Sequence, residues 1–187
     1  MTENKFARDY SISFHRVSNH DRDMLSQFEC GNKAISNFIK NESLSTKEDV
    51  SYVFIDEQQK AIMAFCSIKC TGIAVNEVDA NNNEYITNIP SVEIDFFAVD
   101  EKYRSIKIDE NSNRYETLSQ FFFLYILETI KNISKNHVGA THVCLYAVPR
   151  AASFYKRCGF IPFEEYMFND QHPFLKNCKP MFYVIDK

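Results

Sequence analysis

The sequence has no C-x-x-C pair, and no histidine stands at zinc-finger spacing from its cysteines, so neither a structural zinc site nor a dithiol redox motif is indicated. It has no basic half either: residues 1–90 carry 9 Lys/Arg against 13 Asp/Glu, and residues 91–187 carry 12 against 12. Neutralising several phosphates needs clustered cations, so the overall charge of −4 argues against non-specific duplex binding. No apolar run is long enough to span a bilayer; the longest is Phe121 to Leu127. The first ten residues hold Lys5, Arg8 and Asp9 and lack an apolar signal stretch. No internal repeat or low-complexity tract is present, and the stretch from Asp100 to Arg114 has no glycine.

What the chain does have is core material. Apolar residues make up 45% of its 187 residues and aromatics 14%, with 17 Phe and 10 Tyr, enough to offset the entropy of ordering one domain over residues 1–187. Most of the six cysteines lie in apolar stretches such as Ala64-Phe65-Cys66 and Val143-Cys144-Leu145, where a free thiol packs as a small hydrophobe. That usage, with the lack of a spanning run, predicts a soluble cytoplasmic protein in a reducing compartment, with no membrane partner.

Alternation predicts a strand over Ile12–Val17, and the spacing of Ala34, Ile35, Phe38 and Ile39 predicts a helix over Asn32–Asn41. Val50–Asp56 and Ala61–Lys69 form a predicted hairpin around Glu57-Gln58-Gln59-Lys60. Thr71–Pro90 turns polar around Asn81-Asn82-Asn83 and is expected to be a surface loop, followed by a mid-sheet strand over Ser91–Val99. A long helix is expected to start at an Asn113 cap, with Glu116 three residues on, and to continue through Ile133. A strand over Thr141–Ala147, a helix over Pro149–Cys158 ended by Gly159, and strands over Phe160–Phe163 and Met181–Ile185 follow, the last two joined by a loop holding His172-Pro173 and Lys179-Pro180. Antiparallel strands first, then strand–helix–strand–helix–strand, predict an α/β protein with a mixed central sheet and helices on both faces.

Ala151-Ala152-Ser153-Phe154-Tyr155-Lys156-Arg157-Cys158-Gly159-Phe160 resembles the A-x-x-F-Y-x-x-x-G-F segment on the last main helix of the GNAT superfamily of N-acetyltransferases. Val92 to Val99 looks like that family's splayed central strand, and Val138-Gly139-Ala140 with Val143–Ala147 like the strand before its last helix. Phe28-Glu29-Cys30-Gly31-Asn32 is similar to the F-x-C-G-N opening of a branch that includes toxin-type members acting on charged tRNA. The matches are collinear over about residues 25 to 185. They imply a GNAT acyltransferase fold with a sheet of about six to seven strands. They also imply transfer of an acetyl group from acetyl-coenzyme A to a primary amine on a small molecule, a peptide or an aminoacyl-tRNA. The acidic charge does not favour tRNA, and a homodimer is left open.

On that resemblance Tyr155 takes the general-acid position and Glu93 that of the general base, with Asp95 on the same face of the strand. Main-chain groups of Phe97, Ala98 and Val99 would pair with the pantetheine arm and polarise the thioester. The pyrophosphate loop departs from the family's [Q/R]-x-x-G-x-[G/A]. In one alignment it reads Arg104-Ser105-Ile106-Lys107-Ile108-Asp109, with Lys107 and Asp109 where glycines belong; in another it reads Asp109 to Arg114, with Asn113 and Arg114 before the helix. Arg104, Ser105, Lys107, Asn113 and Arg114 are therefore the candidate phosphate contacts. For Tyr155 the bland alternative is a buried helix ring; for Glu93 and Asp95, ordinary strand carboxylates. The competing function is a GNAT-fold binding or regulatory module without catalysis, and the missing glycines are what favour it.

Overall fold

The computed structural model describes residues 10–108, 116–163 and 177–185. These form a seven-stranded sheet of order β1-β2-β3-β4-β5-β7-β6, flanked by helices and antiparallel except for one parallel pair, β4 with β5. The strands are β1 (Ile12–Arg16), β2 (Val50–Asp56), β3 (Ala61–Val78), β4 (Glu84–Val99), β5 (His142–Ala147), β6 (Ile161–Pro162) and β7 (Lys179–Val184). The helices are α1 (Arg22–Ser26), α2 (Lys33–Asn41), α3 (Glu101–Arg104), α4 (Leu118–Ile133) and α5 (Ala152–Arg157). Among the described residues no helix is long and apolar enough to cross a membrane.

Backbone contacts divide the chain into two compact units. The first comprises Met1–Ile68 and Phe96–Ile126. Its core gathers Leu25, Phe28, Cys30, Ile39, Val53, Ile55, Ile62, Phe65 and Ala98. The aromatic content predicted from composition is used here as ring-on-ring packing: Phe54 lies 4.6 Å from Phe122, and Phe38 stacks on Phe96 at 4.3 Å. Asn32 caps α2 through its side chain, accepting from the N–H groups of Ala34 and Ile35 at 3.1 and 3.4 Å, which explains why the helix starts where its apolar period does.

The second unit comprises Lys69–Asp95 and Leu127–Lys187. Its core packs Ile73, Cys144 and Phe163 with the half-buried Val75, Ile89 and Phe182. Burial pushes the Cys144 thiol up to about 12, with the Glu93 charge adding to the shift, so it remains a neutral core thiol.

Three sequence expectations are corrected. Thr71–Pro90 is not a loop: β3 runs on to Val78, β4 starts at Glu84, and only the turn Asp79–Asn83 connects them. The strand period was there in Thr71, Ile73 and Val75, but Asn and Gly on the other face hid it. The α4 helix begins at Leu118, five residues after Asn113. Its cap is Thr117, whose hydroxyl accepts the Gln120 N–H at 3.3 Å; Thr117-x-x-Gln120 has the same capping spacing as Asn113-x-x-Glu116 and lies next to the apolar run. Lys179-Pro180, expected in the last loop, opens β7, while His172-Pro173 lies outside the described residues.

Candidate active site

In the second unit, β4 places Glu93 and Asp95 two residues apart and therefore on one face. Lys69 of β3 reaches both: its Nζ is 2.6 Å from Asp95 Oδ1 and 3.6 Å from Glu93 Oε1. The Glu93 side chain is 9% exposed, Asp95 24% and Lys69 31%, so the cluster grades from buried carboxylate to solvent along the strand. Glu93 also stands opposite Cys144 in the parallel ladder. Sequence reading found the two carboxylates and missed Lys69, although it is the lone charged residue between Ala61 and Asn76, itself a signal of a paired cation. Among the described residues no group of three or more His, Cys, Asp or Glu is placed to hold a metal ion.

Tyr155 sits in the last turn of α5, 8% exposed, with its ring edge-on to Phe154 at 5.2 Å and 6.1 Å from Phe160. The turn after it explains the F-Y-x-x-x-G-F spacing. Gly159 adopts φ +91°, its N–H donates to Lys156 O at 3.0 Å, and the Phe160 N–H donates to Tyr155 O at 3.0 Å. These are the two bonds of a Schellman motif, whose accompanying apolar contact is Phe160 on Tyr155. The motif thus fixes the helix end that carries the phenol. A Cβ at Gly159 would meet Tyr183 at 3.3 Å in addition to the strained φ.

In the first unit, β4 ends in Phe97, Ala98 and Val99, of which Ala98 and Val99 are buried, and the Phe97 ring lies 5.1 Å from Phe123. Directly after it, Asp100 caps α3 and binds the Phe28–Asn32 segment: its carboxylate accepts the Glu29 N–H at 3.1 Å, and the Glu101 N–H donates to Glu29 O at 2.9 Å. Gly31 has φ +69°, and a Cβ there would run into the Glu101 carboxylate. The F-x-C-G-N opening is therefore a docking turn against the end of β4. Arg104 completes it, its guanidinium donating to Cys30 O and, at 3.4 Å, to Val99 O. Tyr103 donates to Asp56 at 3.3 Å, and burial together with that carboxylate pushes its phenol up to about 12.

Of the candidate phosphate contacts, Arg104 is thus directed onto the protein's own carbonyls. Ser105 is the C-cap residue of α3, and Lys107 forms a β-bridge with Thr117. Ile108 N–H to Glu116 O (3.2 Å) and Leu118 N–H to Ile106 O (3.0 Å) extend that bridge into a short stem. Asn113 and Arg114 lie outside the described residues.

No protein-family model matches the chain, and no curated protein matches it. Solved structures do. A mutant of the AtaT toxin bound to the C-terminus of the antitoxin AtaR and acetyl-CoA superposes with a TM-score of 0.64 at 18% identity over 93% of this chain and 93% of that one. The KacTA–DNA complex gives a TM-score of 0.64 at 16% identity over 94% of each chain. A GNAT-family acetyltransferase from Staphylococcus aureus Mu50 gives 0.54 at 13% identity over 94% of this chain and all of that one. Strand order, the one parallel pair among the described residues and these superpositions together establish that the chain has the GNAT fold.

Proposed function

We propose that this protein is an acetyl-coenzyme A dependent N-acetyltransferase whose acceptor is a primary amine. The observation that carries the reading is the end of the parallel ladder. β4 pairs with β5 from Ser91↔His142 to Ile94↔Leu145 and then runs five residues further, to Val99. Main-chain groups of Phe97, Ala98 and Val99 lie beyond that ladder, where an extended pantetheine arm can add to the strand by hydrogen bonds. Acetyl-coenzyme A supplies an activated thioester. The chain's own residues then divide the proton work: Glu93, with Asp95 beside it, takes a proton from the acceptor ammonium, directly or through water, and Tyr155 gives one to the departing thiolate. The amine nitrogen forms its bond to the acetyl carbon as the carbon–sulfur bond breaks. Ser105, Lys107, Asn113 and Arg114 are the proposed phosphate contacts, and Arg104 acts by holding the turn at Cys30.

The likeness to toxin structures, one of them holding acetyl-CoA and an antitoxin segment, supports this reading and extends the partners to an antitoxin-like protein, while the F-x-C-G-N resemblance keeps an aminoacyl-tRNA among the acceptors. The Lys107↔Thr117 stem and the engaged Arg104 favour the second reading, a binding module, because both take groups away from a phosphate loop. Calorimetric titration with acetyl-coenzyme A, followed by thiol release with a panel of small amines and an aminoacyl-tRNA, separates the two. One-site binding with amine-dependent thiol release supports the enzyme; absence of binding leaves the module.

A further inference from the structure

Lys69 differs from the other ion-paired lysines Lys40, Lys60 and Lys131. Those three pair with Glu29, Glu57 and Glu128, whose side chains are 59%, 38% and 72% exposed. The partners of Lys69 are Glu93, 9% exposed, and Asp95, 24% exposed, the two carboxylates to which the acceptor's proton is assigned above. The Lys69 side chain ends in a primary amine, and its Nζ lies 2.6 Å from Asp95 Oδ1, within the reach that a general base needs of an amine it deprotonates. With 31% of the side chain exposed, the ammonium is not sealed from solvent. The thiol nearest in the ladder, Cys144 opposite Glu93, is fully buried and does not compete as a nucleophile.

We propose that Lys69 is an acceptor of the chain's own reaction, acetylated within the same molecule, and that the acetylated form of the site is silenced. The proposal rests on the acetyltransferase reading. Asp95 takes one proton from the Lys69 ammonium and passes it to solvent. The freed Nζ forms its bond to the acetyl carbon as the carbon–sulfur bond breaks, and Tyr155 protonates the departing thiolate. A second proton, lost from Nζ as the amide forms, replaces through solvent the one that Tyr155 gave. Holding the amine beside its base makes the step unimolecular, which gives Lys69 the advantage over amines on the surface. Acetylation removes the lysine's charge and its ion pairs. Glu93 and Asp95 are then left on one face of β4 without that cation, and a nearly buried carboxylate beside a like charge holds its proton. A protonated Glu93 cannot act as a base, so external amines turn over more slowly.

The test incubates the full chain with acetyl-coenzyme A carrying a deuterated acetyl group, without any other amine, and maps the product by peptide mass spectrometry. Lys69 should gain the label in a first-order reaction whose rate constant is independent of protein concentration, while the exposed Lys33 and Lys102 stay at the background of chemical acetylation. Tyr155→Phe should slow labelling of Lys69 about a hundredfold or more and leave the background unchanged. Any unlabelled acetyl already on Lys69 after expression should be missing from that variant. Turnover of an external amine should fall as Lys69 fills. Lys69→Gln, the neutral counterpart of the acetylated side chain, gives a readout without coenzyme A: it and the acetylated wild-type chain should both unfold at lower urea concentration than the unmodified chain. Thiol release with an external amine while Lys69 stays unmodified overturns this inference and leaves the acetyltransferase reading standing, whereas absence of acetyl-coenzyme A binding by calorimetry overturns both. Labelling of Lys69 that Tyr155→Phe does not slow, that only matches Lys33 and Lys102, or that quickens with protein concentration is chemical or intermolecular acetylation, and overturns it as well. A Lys69→Gln chain as stable as wild type, or unchanged turnover after full acetylation, overturns the silencing.

Discussion

Lys69 and Asp95 are joined across β3 and β4 by a 2.6 Å ion pair, and the same ammonium lies 3.6 Å from the nearly buried Glu93. Two carboxylates on one face of a strand repel, and the carboxylate removed from water has the most to lose if its counter-charge is deleted. The lysine is therefore as much a part of this site as the acids it pairs.

Replacing Lys69 with methionine keeps the stem and removes the charge. The variant should lose about 1–3 kcal/mol of stability, less than for a fully buried pair because the Lys69 side chain is 31% exposed. Urea unfolding should show a lower midpoint at unchanged slope. Adding Glu93→Gln should restore part of the loss, since the orphaned charge is then gone. Additive losses in the double variant would show that Glu93 does not depend on Lys69.

Gly159→Ala should destabilise the fold by about 1–2 kcal/mol, because φ +91° disfavours a Cβ and that Cβ also crowds Tyr183. Asparagine tolerates left-handed backbone better than alanine, so Gly159→Asn should unfold at a higher temperature than Gly159→Ala. Equal midpoints for the two variants would place the strain in the Tyr183 contact and not in the backbone.

Much of this was legible in the sequence where local signals agree. The apolar period of α2 places its start within one residue of the observed Lys33, and Gly159 marks the end of α5. The hairpin at Thr71–Pro90 was not legible, because one of its faces is polar and its turn is asparagine-rich, as a loop would be. Glu93 and Asp95 could be placed on one face by period alone; Lys69 could not be placed beside them, since pairing across strands is set by register, which no local pattern encodes. Arg104 shows the converse. Its place at the head of the aligned phosphate loop suggested a phosphate contact, and only the fold reveals the Cys30 and Val99 carbonyls it meets.

Burial holds the His142 imidazole below its ordinary range, while its Nδ1 contacts the Thr141 hydroxyl at 2.9 Å. The unfolded chain then binds a proton at a pH where the native chain does not. Stability is unaffected above the unfolded-state value near 6.5 and falls as pH drops below it. Thermal midpoints measured from pH 7.5 to 5.5 should decline, and His142→Asn should decline less over that window. Parallel curves for the two proteins would remove His142 from the acid response.

The phenol of Tyr155 lies at the end of a helix fixed by the Gly159 turn, its ring 5.2 Å from Phe154 and 6.1 Å from Phe160. Phenylalanine keeps that ring and the apolar contact that completes the turn, so Tyr155→Phe should unfold close to the wild-type temperature. If the hydroxyl donates to the departing thiolate, its hydrogen bond strengthens only as negative charge develops on sulfur, and acetyl-coenzyme A should bind the variant with wild-type affinity. Turnover should fall about a hundred- to ten-thousandfold, the usual worth of general-acid assistance, or roughly 3 to 5 kcal/mol of barrier. Thiol release under saturating acceptor reads the first quantity and calorimetry the second. A variant that turns over like wild type makes Tyr155 a packing residue only. One that loses turnover and affinity together shows that the hydroxyl holds the bound thioester before any charge has developed, which assigns it to binding and leaves the leaving-group proton to another donor.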